Sequence, residues 1–241
     1  MSSTTELQRL AEIASDSWYA KGVSGTMIQY TFRIFSRYLQ PDRVLELGPA
    51  EGIMTALLAP VSKHLTIVDG SAAFCDDLRK RFPQATVFHS LFEQFRTDQR
   101  FDTIVLGHVL EHVIDPVEIL SLAKTWLAPQ GRVLAAVPNA RSLHRQAAVI
   151  MGMLPTEDTM NDLDRHHGHR RVFNPEGFRN AFTQAGLKIE VFGGYWIKPL
   201  SNRQIEETWS AEMVEAFMQL GERYPDIAAE NYVVAGHPPA K

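Results

Sequence analysis

From residue 43 onward the chain alternates short, almost continuously apolar runs with stretches long enough for a helix. The runs are "RVLEL" (43–47), "HLTIVD" (64–69), "ATVFH" (85–89), "FDTIVLG" (101–107) and "RVLAAVP" (132–138). A strand that is apolar on both faces needs cover on both faces, which points to a parallel sheet with helices above and below. Strands separated by helical segments predict repeated βαβ units and an α/β fold. Two later runs, "LKIEVFGGYW" (187–196) and "NYVVAG" (231–236), predict the last strands and a total of seven.

Helix boundaries are marked by capping chemistry. Asp115, Pro116 and Glu118 in "DPVEIL" predict a helix start, with the helix running to about Leu127 and Gly131 as a left-handed stop. Asn174, Pro175 and Gly186 repeat the pattern around "NPEGFRNAFTQAG". Residues 1–40 read as an amphipathic helical cap. Residues 196–230 read as a helical insertion whose "MVEAFMQL" stripe packs on the sheet or pairs two subunits in a homodimer. The whole of 1–241 is treated as one domain, with 140–173 forming a segment over its mouth.

Bulk properties exclude several classes. Net charge is −4 with no run of five or more like charges, so a nucleic-acid partner is not expected. Cys75 is the sole cysteine, which rules out an intrachain disulfide and a four-thiolate zinc site. No apolar run approaches the roughly 20 residues of a membrane span. The first residues carry no basic region followed by an apolar core, so no secretory signal is expected and a cytoplasmic location is the default.

"VLELGPAEG" follows the first strand and opens a helix. Gly48 and Gly52 flank a sharp turn at the end of the sheet where open α/β folds bind ligands. Asp69 ends the next strand, placed to accept hydrogen bonds from a ribose diol. On the residues alone, the glycines could simply make a tight turn and Asp69 simply cap the helix after it. With strand, turn, helix, strand and acid in order, nucleoside binding is the stronger reading. A dinucleotide fingerprint would want glycine at positions 50 and 53, which are Ala50 and Ile53. The pattern instead is E-x-G-x-x-x-G, with Glu46 inside the motif.

On "VLELGPAEG", "TIVDGS", "FDTIVLGHVLEHVIDP" and "LAPQGRVLAAVPN", in this order and spacing, the chain resembles the class I S-adenosylmethionine-dependent methyltransferases over about residues 40–190. The resemblance implies a three-layer α/β sandwich, Rossmann-like, with a mostly parallel seven-stranded sheet, an antiparallel last strand and a helical N-terminal cap. It implies S-adenosylmethionine as cofactor, with Gly48 and Gly52 against the methionyl part, Glu46 orienting that end and Asp69 holding the ribose. The family often has an acid after the third strand to read adenine. Leu91 stands there, so backbone groups and apolar contact from Leu91 and Phe92 are expected instead.

The acceptor side is rich in histidine. His108, Glu111 and His112 have i, i+3, i+4 spacing, which on a helical turn would share one face. "DLDRHHGHRR" (162–171) follows later. Ubiquinone-biosynthesis and small-RNA 2′-O-methyltransferases resemble this chain here, with E-x-x-E-H after the fourth strand and a histidine seven residues before the following helix cap. That position is His167, with His169 near it, and His108 replaces the first glutamate of the motif. Three readings stand open: a divalent-metal site of His108, Glu111, His112 and His167; metal-free histidines (His167, His108, His112) acting as bases or substrate contacts; or a solvated loop. Arg170 and Arg171 read as surface charge or a clamp for an anionic acceptor group. The leading function is methyl transfer to oxygen or nitrogen of a small molecule such as a sugar or secondary metabolite. RNA or protein acceptors, a non-catalytic nucleoside-binding protein, and an NAD-dependent oxidoreductase are the alternatives.

Overall fold

The computed structural model describes residues 3–15 and 21–239. Seven strands form one sheet: β1 (Arg43–Leu47), β2 (His64–Asp69), β3 (Thr86–His89), β4 (Phe101–Gly107), β5 (Leu127–Pro138), β6 (Lys188–Tyr195) and β7 (Glu230–Gly236). Their order is β3-β2-β1-β4-β5-β7-β6. The first five are parallel, and β7 runs antiparallel to both β5 and β6. This is the mostly parallel, Rossmann-like arrangement that the strand pattern and the resemblance predict.

Among the described residues, ten α-helices accompany the sheet: α1 (Ser3–Ser15), α2 (Gly22–Phe35), α3 (Ile53–Leu58), α4 (Ala72–Arg81), α5 (Pro116–Trp126), α6 (Leu143–Ile150), α7 (Asp162–His166), α8 (Pro175–Gln184), α9 (Asn202–Thr208) and α10 (Ala211–Gly221). Alternate strand residues feed two cores, one on each face. Leu45, Ile104 and Val133 pack beneath α5 and α8, whereas Val44, Val105 and Leu134 pack beneath α2 and α10. That period of two is what makes the strands read as unbroken apolar runs.

The caps stand where the sequence places them. Asp115 accepts from the amides of Val117 and Glu118, and Asn174 accepts from Gly177, each contact worth on the order of 1 kcal/mol. Gly186 follows α8 at φ +70°. Gly131 does not end α5. The helix stops at Trp126, β5 begins at Leu127, and Gly131 lies within that strand, where a Cβ would meet the Phe101 carbonyl at 2.7 Å. The "MVEAFMQL" stripe packs inward, burying Val214 and Met218. Of the 1–40 cap, residues 1–2 and 16–20 lie outside the described residues. No described helix is long and apolar enough to cross a membrane.

The strand order reverses between β1 and β4. The crevice above such a reversal is where open α/β sheets take their ligands. The turn after β1 and the turn after β4 meet there.

Candidate active site

The turn after β1 bends so sharply that Gly48, Ala50 and Gly52 all have positive φ (64°, 47° and 76°). A Cβ on Gly48 would press on Val109 at 3.1 Å and Phe92 at 3.3 Å, so only glycine leaves the floor of the pocket open. Glu46 is buried beneath the turn. Its Oε2 accepts from the Thr55 hydroxyl at 2.7 Å, while Oε1 is buried without a hydrogen-bond partner among the described residues. Burial pushes its pKa up to about 8.

Asp69 faces the same pocket from the end of β2. Its Oδ1 accepts from the Ser71 amide at 2.7 Å, and Ser71 itself caps α4. Burial raises the Asp69 pKa to about 6 despite hydrogen bonds from Ser71 and Ala50. Leu91 and Phe92 form the neighbouring wall, together with Glu93.

Helix α1 roofs this pocket with Glu6, Arg9, Leu10 and Ile13. Leu10 packs so closely on Gly70 that a Cβ there would come within 2.4 Å of its Cδ1. Arg9 donates to the Gly168 carbonyl, and Glu6 accepts from Arg9 at 3.2 Å and from Arg170 at 2.6 Å. The amphipathic pattern of 1–40 predicts a cap, but nothing in it names these residues as pocket wall.

The predicted helical turn from His108 to His112 does not form. His108 adopts φ +59°, which interrupts any right-handed helix and turns its ring into the interior. Its Nε2 lies 3.1 Å from Tyr195 Oη, and its Nδ1 lies 3.7 Å from Glu111 Oε1 and 3.7 Å from Glu230 Oε2. Glu111 lies between His108 and the segment after α7, and His112 faces that segment. Arg171 braces this irregular stretch by donating to the carbonyls of Leu110, Val113 and Ile114, and Arg170 donates to His112 O at 2.9 Å. Neither arginine is free surface charge.

Among the described residues, the groups whose ligand atoms converge are Glu111, His112 and His169, all within 4.8 Å of one another. The His112 and His169 rings meet edge to face at 4.8 Å. Both Glu111 oxygens and His169 Nε2 are buried without a hydrogen-bond partner among the described residues. His169 Nδ1 stands 3.3 Å from Asp164 Oδ1, and Asp164 is in turn tied to Arg145 at 3.1 Å. Burial opposes ionisation of Asp164, but the bonds from His169 and Asn161 and the Arg145 charge hold it near 2. His108 stands behind this group. His167 lines the pocket, its ring 6.2 Å from that of His169. Burial lowers the pKa of His108 to about 3 and of His167 to about 4, and takes His112 well below the usual range. These imidazoles are therefore neutral near pH 7, the form in which a histidine can accept a proton or bind a metal.

Glu230, Tyr195 and Thr31, which complete the surroundings of the cluster, carry no motif; they are distant in sequence and meet only because β6, β7 and α2 pass near the end of β4. Asp164 lies within the 162–171 stretch, but nothing in its spacing marks it as the partner of His169.

Residues 19–190 match a family model described as a methyltransferase domain. The chain is 25% identical over 217 residues to a ubiquinone biosynthesis O-methyltransferase of Actinobacillus pleuropneumoniae serotype 7, covering 83% of this chain and 91% of that protein. It is 27% identical over 181 residues to the protein of the same name from Pasteurella multocida, covering 68% and 73%. The N-methyltransferase NodS of Bradyrhizobium japonicum, solved with S-adenosyl-l-homocysteine, superposes with a TM-score of 0.61 at 17% identity, covering 98% and 99%. That last likeness is one of fold.

Proposed function

The chain belongs to the S-adenosylmethionine-dependent methyltransferase family, and from that premise we propose that it methylates a hydroxyl oxygen of a small-molecule acceptor held beneath the histidine segment. The observation that carries this reading is the convergence of Glu111, His112 and His169 beside the pocket. The names of the two relatives above, both O-methyltransferases, support oxygen over nitrogen.

The pocket fits the cofactor by its own chemistry. The unpartnered Glu46 oxygen suits the ammonium end of the methionyl part, the Asp69 carboxylate suits the ribose hydroxyls, and Leu91 and Phe92 offer apolar walls for adenine. When bound, the cofactor supplies a methyl carbon on a sulfonium, open to in-line displacement. Positioning then carries much of the barrier. The apolar side chains of Ile28, Met54, Val113 and Ile114 around the remaining space favour a flat, apolar acceptor over a sugar. Residues 140–173 and α1 act as lids that exclude water from it.

An alcohol or phenol must lose its proton as the new C–O bond forms. The ring of His112 or of His169 is placed to receive that proton, with Asp164 behind His169 to stabilise an imidazolium there. A divalent ion fits the same residues. One buried carboxyl group whose two oxygens have no hydrogen-bond partner among the described residues, plus two imidazoles, is a donor set for Zn²⁺, Mn²⁺ or Fe²⁺. Bound there, such an ion would lower the pKa of the acceptor hydroxyl.

Chelation separates the two versions. With a panel of phenols and glycosides as acceptors, release of S-adenosylhomocysteine is measured before and after EDTA, then after each divalent ion is added back. Loss and recovery supports the metal, indifference supports the histidine base, and no release with any acceptor counts against a small-molecule acceptor.

A further inference from the structure

The surroundings of His108 decide which of its two nitrogens carries the proton. Thr31 Oγ1 lies 2.9 Å from the carbonyl of Met27, one helical turn earlier. A carbonyl has no proton to give, so the hydroxyl donates, and its single hydrogen is used there. The Thr31 oxygen is then an acceptor. Tyr195 Oη stands 2.6 Å from it, so the phenol must donate in turn. With its own hydrogen committed, the Tyr195 oxygen can only accept from its other neighbours. Of these, Met27 Sδ, 3.7 Å away, has no hydrogen to give, which leaves His108 Nε2, 3.1 Å from Tyr195 Oη and 3.5 Å from Thr31 Oγ1.

We infer that Thr31 and Tyr195 are positioning residues of the methyl-transfer site, which hold His108 as the Nε2–H tautomer and turn its Nδ1 lone pair toward the Glu111 and Glu230 carboxyls. The inference rests on the reading of Glu111 as part of the acceptor centre only for its functional consequence. In the opposite tautomer, an Nδ1–H would bond to the Glu111 or Glu230 oxygen 3.7 Å away and draw Glu111 off the cluster with His112 and His169. The chain Met27–Thr31–Tyr195 prevents this and leaves Glu111 to the acceptor side.

Other features agree. Burial keeps the Tyr195 phenol protonated. Tyr195 is fully buried and stacked on Tyr30 with centroids 5.6 Å apart, which leaves its hydroxyl little freedom to turn away. His108 also bears a left-handed backbone (φ +59°), and non-glycine residues keep such strain only where their surroundings impose it.

The test is a long-range ¹H–¹⁵N correlation spectrum of the whole chain labelled with ¹⁵N-histidine, with the His108 signals identified by their loss in His108→Gln. The expected result is a protonated Nε2 and a bare Nδ1 in the wild type and in Thr31→Ser. In Tyr195→Phe and Thr31→Val the protonated signal should shift toward Nδ1. An Nδ1–H tautomer in the wild type, or an unchanged spectrum in both disruptive variants, overturns the inference. The wild-type spectrum decides even where a variant fails to fold. It needs no acceptor, so its outcome is independent of whether the Glu111 cluster carries the reaction.

Discussion

Arg170 joins Glu6 at 2.6 Å, and the same guanidinium donates to the His112 carbonyl while the Arg170 amide donates to the Glu111 carbonyl at 2.8 Å. One residue thus links the roof helix to the stretch that presents Glu111 and His112. Arg170→Ala would leave the Glu6 carboxylate buried without this partner, a cost of about 1–3 kcal/mol in stability. Urea unfolding measures that loss, and hydrogen exchange should show the amides of α1 losing protection first. Unchanged protection in α1 would mean that the roof does not depend on this pair.

Asp69 predicts how cofactor binding varies with pH. Its pKa of about 6 means that the carboxylate becomes a neutral acid as pH falls from 7 to 5, losing strength as an acceptor for the ribose hydroxyls. Affinity for S-adenosylmethionine should therefore weaken across that interval. In Asp69→Ala it should be weaker by about 1–3 kcal/mol and flat over the same range. Calorimetric titration at several pH values checks both, and parallel curves for the two proteins would remove Asp69 from the ribose site.

Glu46 predicts the opposite kind of effect, on stability without ligand. Its pKa is raised from 4.5 to about 8, so the fold favours the protonated form. The sign follows: no penalty exists below pH 4.5, a penalty grows as pH rises, and it is complete above about 8. Glu46→Gln should stabilise the free protein by a few kcal/mol at pH 9 and hardly at all at pH 5, on the scale of about 1.4 kcal/mol per unit. The same substitution should weaken cofactor binding. A denaturation series giving equal differences at both pH values would contradict burial as the cause.

The sheet was legible because local chemistry and global fold agree there. Strands such as Val44–Leu47 and Ile104–Leu106 are apolar on both faces since both faces are covered, and the caps at Asp115 and Asn174 need only their own next turn. Glu46, Gly48 and Asp69 line one pocket for a related reason: they sit at strand ends, and their spacing follows from the βαβ unit itself, whereas Gly52 caps α3 against Leu78 and is not part of that lining. Gly131 misled because a glycine after a helix commonly ends it, whereas here close approach of β4 demands it. The acceptor side was only half legible. Spacing alone places His108 with Glu111 and His112 on one helical face, but with a left-handed φ its ring turns inward, keeping Glu111 as a neighbour and leaving the group that converges on His169. His169 replaces His167 in the converging group because α7 ends at His166 and the next residues turn through Gly168 at φ +78°. Tyr195, Glu230 and Glu6 reach the site through tertiary contacts that no local pattern encodes.

His169 bears most directly on the central claim, that Glu111, His112 and His169 activate the acceptor while strands one to three hold the cofactor. The measurement is cofactor affinity and acceptor turnover, side by side, for the wild type and His169→Ala. The account predicts a turnover loss of ~10²–10⁴ with the dissociation constant for S-adenosylmethionine unchanged. Full turnover in His169→Ala would contradict it.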